Sequence, residues 1–118
     1  AGQILPGVTD YDKQRRALEK FVRLVREYPT STRIALSAYY IGQIYKEYFN
    51  ENIRAVHWYQ RAWQWDPTIE KPAHYQAAVV WDIRLQNKAK AVEQYRAAID
   101  ANQGDVRYAR QRLVELTR

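Results

Sequence analysis

Ala17, Phe21, Leu24 and Pro29 return along this chain as Ala55, Tyr59, Ala62 and Pro67, each 38 positions on. Ala91, Tyr95 and Ala98 continue the series 36 positions further, with Gln103 in place of the proline. Steps of four and then three residues put the small, aromatic and aliphatic members on one face of a helix. The small residues let a neighbouring helix approach closely, and the aromatic fills the space between. The proline stops the helix, because the residue before it is pushed out of the helical region. Intervening segments share the period: Gly42 lies 13 after Pro29, and Val80 lies 13 after Pro67. Recurrence of this length marks an array of helix hairpins, each needing its neighbours to bury its apolar face.

Six helices are expected in residues 9–118, after an arm or tether at 1–8 that contains Pro6-Gly7. Thr9, with Asp12 three residues on, is placed to cap the first helix, which ends at Tyr28-Pro29. Ser31 or Thr32 caps the second, with Ile34, Ala38, Ile41, Gly42 and Tyr45 inward. Asn50 breaks it and caps the third, which stops at Asp66-Pro67. The fourth starts near Pro72 and turns Gln76, Val79, Val80 and Ile83 inward. Asn87 caps the fifth, and Gly104-Asp105 opens the sixth with Val106, Ala109, Leu113 and Leu116. Four glycines and four prolines are too few for a turn-rich β fold.

Tyr40-Ile41-Gly42-x-x-Tyr45, followed by Ala55, Tyr59, Ala62 and Asp66-Pro67, resembles the tetratricopeptide (TPR) signature. The resemblance spans roughly residues 10–117, with one extra residue in the turn before Ala55 and Val80 where the second repeat's glycine belongs. It implies an all-α, right-handed superhelical array of about three hairpins, in a phase that opens on a second helix. Tyr28-Pro29-Thr30-Ser31 and Ala38-Tyr39-Tyr40-x-Gly42 look like the BamD-like and CpoB-like arrays of the bacterial envelope.

What the resemblance implies is recognition of a partner peptide or helix in a concave groove, within a larger assembly. Carried onto this sequence, the groove comprises Tyr39, Gln43, Lys46 and Glu47, then Ala77, Trp81 and Arg84, with His74 at its entrance. That alignment is preferred because a shift by one residue buries Asp82 with no evident partner. Tyr39 and Trp81 offer flat apolar surface, and Lys46 and Arg84 suit carboxylates. Trp58, Trp63 and Trp65 span more than one side of their helix, so Trp58 or Trp65 is expected to be exposed. Self-association through an open terminal hairpin is a variant of this reading.

A second reading comes from charge. The net charge is +6. Lys13, Arg16, Lys20 and Arg23 form a basic stripe on the first helix, and Arg107, Arg110 and Arg112 make the last helix basic. Such faces suit nucleic acid or acidic lipid headgroups, although Glu19 and Glu27 interleave the first.

Nothing in the sequence carries a catalytic pattern. His57 and His74 lie in different helices without a second ligand at metal spacing, and there is no HExxH, phosphate loop or nucleophile elbow. Cysteine is absent, so thiolate chemistry and disulfides are excluded, and no cofactor or metal is expected. Asp82 is the one carboxylate whose setting is expected to be unusual. The lack of any methionine suggests a mature or excised piece of a longer protein.

Overall fold

A computed structural model of the chain describes residues 10–28 and 33–118. Among these residues the fold is all-α, an array of antiparallel helices without strands. Helix α1 spans Asp10–Glu27, α2 Ile34–Glu47, α3 Asn52–Trp65, α4 Ala73–Val79, α5 Lys88–Asp100 and α6 Val106–Leu116. Helix α4 does not end at Val79 but widens into a π-helical turn over Val80–Arg84. The Leu85 amide donates there to the Val80 carbonyl at 2.9 Å, the five-residue reach of a π turn.

The recurring positions form the core. Ala55, Tyr59, Ala62, Ala91, Tyr95 and Ala98 are all fully buried, while Ala17, Phe21 and Leu24 of α1 are half-buried beside buried Val25. Burial divides into three clusters: α1 against α2, then α2 with α3 and α4, then α4 with α5 and α6. The tryptophans join them. Trp58 and Trp65 pack against the first and second clusters, and Trp81 against the second and third. Trp58 and Trp65 are therefore half-buried rather than exposed, and Arg61 covers both rings.

Helix starts follow local chemistry. The Asn87 side chain accepts from the Lys90 amide at 3.1 Å, and Asp105 accepts from Tyr108 at 3.0 Å, each holding a first-turn donor that has no partner within the helix. Asn50 does not cap α3. It sits at φ 50, in the left-handed region that asparagine tolerates, and reverses the chain, so Glu51 becomes the N-cap without a side-chain bond. Thr9, Ser31, Thr32 and the arm at 1–8 lie outside the described residues.

Gln103, where the third proline would stand, joins two connections. Its amide donates to the Ile69 carbonyl at 3.1 Å, and its carbonyl accepts from the His74 backbone N–H at 3.1 Å. Gly104 beside it is at φ 65, pressed against the Tyr75 ring.

Gly42 has a different task. A Cβ there would stand 2.7 Å from two carbons of the Tyr59 ring and 3.2 Å from the Ala55 carbonyl oxygen. The ring is wholly buried and cannot swing into solvent. Gly42→Ala therefore destabilises the fold by about 1–3 kcal/mol, outweighing the roughly 1 kcal/mol that alanine gains in helix propensity. Urea unfolding checks this; an unchanged or raised midpoint would show that the helices can part at no cost.

Candidate functional site

Tyr59 carries its hydroxyl to the edge of the core, where it donates to the Gln43 side-chain carbonyl on α2. Burial pushes the Tyr59 hydroxyl far above the usual tyrosine range, so it stays a donor at any physiological pH. Tyr39, one turn before Gln43, is 5% exposed and lies 5.7 Å from the Tyr59 ring. Its hydroxyl is also raised by burial, offset in part by a hydrogen bond with Gln76 on α4. The Gln76 carbonyl in turn accepts from Lys46 Nζ at 2.7 Å. Thus α2 and α4, which are not consecutive, are bridged side chain to side chain.

The far end of this face is closed by Arg84. Its guanidinium donates to the Lys46 carbonyl at 2.6 Å and to Asn52 Oδ1 at 3.2 Å. The Lys46 carbonyl is one of the last four of α2 and has no acceptor role within its own helix, so Arg84 satisfies an orphan group. Only 12% of the Lys46 side chain reaches solvent, and Glu47 pairs with it at 3.2 Å from the exposed rim.

Of the residues expected in a groove, Tyr39, Gln43, Lys46, Glu47 and Arg84 are brought together. Ala77 lies beneath them, fully buried, and offers no surface. His74 and Trp81 go elsewhere: both stand with Trp63 of α3 and Gln94 of α5. Sequence reasoning missed two members of the face. Tyr59 was assigned to core alone, and Gln76 to an inward position, although a glutamine in an otherwise apolar list signals a polar task.

The π turn explains the divergence. On α2 the core tyrosine finds its hydroxyl partner one residue after Gly42, at Gln43. The corresponding Tyr95 of α5 donates to Asp82 of the π turn, two residues after Val80, at 2.7 Å. One residue has been inserted, so a constant offset of 38 fails beyond Val80. Ile83, expected inward, is consequently 53% exposed, and Asp82 is buried.

Burial of Asp82 was held to be unfavourable for want of a partner, and the partner exists on α6. Arg112 binds it in two-pronged fashion, Nε to Oδ2 at 2.7 Å and Nη2 to Oδ1 at 2.8 Å, and reaches Glu115 as well. Hydrogen bonding by Arg112 holds the Asp82 carboxyl below its ordinary range against the opposing effect of burial. Arg112 thus belongs to the structure rather than to a free basic surface. Lys13, Arg16, Lys20 and Arg23 are all exposed on α1, as are Arg107 and Arg110 on α6, and none makes an ion pair among the described residues. The described residues hold no group of three His, Cys, Asp or Glu placed to bind a metal.

A carboxylate with a lowered folded-state pKa contributes stability that is complete above its unfolded value and lost as pH falls through the folded one. Asp82→Asn should therefore lose roughly 2–3 kcal/mol at pH 7, the low side of the range for a broken buried pair because Arg112 is partly solvated. The two proteins should converge only well below the ordinary carboxylate range, once pH has fallen through the lowered value at which the wild-type carboxyl protonates in the fold. Thermal melts across pH 2–7 read the difference, and a gap that stays constant with pH would exclude the ion pair as its source.

No family model and no curated protein matches the chain.

Proposed function

We propose that this chain is a non-catalytic scaffold of the TPR-like kind, which binds a partner peptide or helix along the face made by α2 and α4 within a larger assembly. The observation that carries the reading is the direct bridge from Lys46 to Gln76 between two non-consecutive helices. It makes one continuous polar strip from Gln43 to Arg84, fixed before any partner arrives. Side chains already held in place lose little freedom on binding, so more of each contact appears as affinity. Lys46 and Arg84 line the strip with positive charge, with Glu47 at the rim, and favour a partner carrying both an acidic and a basic residue. The envelope-type sequence features fit the same reading, with a periplasmic or outer-membrane-associated setting.

The test uses surface charge, because Tyr39→Ala would empty the core. Glu47→Lys reverses the charge at the exposed rim and leaves the bridge from Lys46 to Gln76 in place. Capture of partners from the source organism's extract is expected to fall about tenfold in that variant, as for loss of a directed charge pair. Identical capture by both proteins would place recognition off this face.

A second reading has its own observation: four exposed cations of α1 at i, i+3, i+7 and i+10, without acidic partners among the described residues. It assigns Lys13, Arg16, Lys20 and Arg23, with Arg107 and Arg110, to an anionic polymer or surface. Binding to acidic vesicles or to DNA should then weaken steeply with salt. Affinity that is weak and flat with salt, or unchanged in Lys13→Glu plus Lys20→Glu, removes this reading.

A further inference from the structure

Between α3 and α5, over the π turn, lies a cleft of about 230 Å³ with two indoles in its wall. Trp81 and Trp63 are both half-buried, and Val56, Gln60, Lys90, Glu93 and Gln94 complete the lining. Its walls are held firmly. Trp63 is backed by His74, whose ring stacks on it at 4.1 Å, and His74 Nδ1 meets the Gln94 side-chain carbonyl at 2.7 Å. The cleft shares no lining residue with the α2–α4 face.

The charges at its mouth show what it can take. Lys90 places its ammonium 5.3 Å from the centre of the Trp81 ring, so a cation already sits at that indole. Glu93, exposed one turn further along α5, makes no ion pair or hydrogen bond among the described residues. Gln60 likewise has its amide free. The cleft is lined mainly by polar atoms and combines an indole that Lys90 covers, a carboxylate without a counterion among the described residues, and a spare carbonyl acceptor. Elsewhere on α3 the same chemistry is complete within the chain. The Arg61 guanidinium carbon lies 4.4 Å from the centre of the Trp65 ring and 5.4 Å from that of Trp58.

We infer that this cleft receives an arginine side chain from a protein partner. A guanidinium is flat, weakly hydrated and edged with five N–H donors, so it stacks on an indole while its edge meets Glu93 and Gln60. The ammonium of Lys90 is compact and strongly hydrated, and it holds the ring less well. Lys90 acts as a resident cation that the incoming arginine displaces. Its long, exposed side chain leaves without disturbing the fold.

The experiment follows the indole N–H signals by NMR during titration with capped Gly-Arg-Gly, assigned through Trp63→Phe and Trp81→Phe. Trp63 and Trp81 should shift saturably while Trp58 and Trp65 stay still. Capped Gly-Lys-Gly should bind about fivefold more weakly or worse, and the citrulline peptide, neutral but of the same shape, should leave the signals in place. Glu93→Gln should weaken binding and Lys90→Ala should strengthen it; both sites are on the surface, and the spectra themselves report that the fold is kept. Equal shifts with citrulline would overturn the proposal. So would unmoved Trp63 and Trp81 signals, or saturable binding of capped Gly-Glu-Gly that Lys90→Ala abolishes, which would make the cleft an anion site.

Discussion

A tyrosine ring is seated where the helix opposite presents only backbone. Tyr59 fills the space above Gly42, between Ala55 and Ala62, and its burial is worth about 2 kcal/mol in water-exclusion alone. Such a ring brings an obligation with it. A buried hydroxyl without a partner costs as much as the ring gains, so the facing helix must supply an acceptor. Gln43 supplies it in one hairpin and Asp82 in the next. The second choice has wider consequences, because a buried carboxylate demands a cation, and Arg112 brings α6 with it. The last helix is thus docked through a chain of needs that begins at a core hydroxyl.

That chain also marks where sequence reading succeeds and where it stops. The small–aromatic–small series was legible because a helix face is set by spacing, and spacing is a local property. The cap at Asn87 was legible for the same reason: its side chain bonds an amide three residues on. Asn50 misled because it has two local uses, cap and left-handed turn, and only the path of the chain chooses between them. The links from Lys46 to Gln76 and from Asp82 to Arg112 each cross 30 residues. No spacing rule pairs residues so far apart, and the resemblance to TPR hairpins speaks of helix faces rather than of particular polar pairs.

The π turn is the element that a repeat comparison hides most completely. One extra residue in a helix leaves composition and apolar spacing nearly intact, yet it rotates everything beyond it. Here the rotation sends Ile83 outward, brings Asp82 to the tyrosine and parts Trp81 from Arg84. Arg84 returns to the end of α2, while Trp81 faces α3 and α5. A regular α-helix would have kept these two, three residues apart, on nearly one side. The wide turn therefore gives the hairpin two differently equipped sides.

Electrostatics follow from the same turn. Asp82 is the only charged side chain buried among the described residues, and it is bound by an arginine in a strongly basic chain. Pairing removes Arg112 from the positive field of α6 and leaves Arg107 and Arg110 to shape it. It also makes α6 dependent on a residue that no periodic rule places inward. An exposed cation can be exchanged at little cost, usually within about half a kcal/mol, whereas Arg112 cannot leave without stranding a carboxylate in the core. Two arginines on one helix, Arg110 and Arg112, thus have opposite standing: one is available to meet a partner, and the other is committed to holding the helix in place.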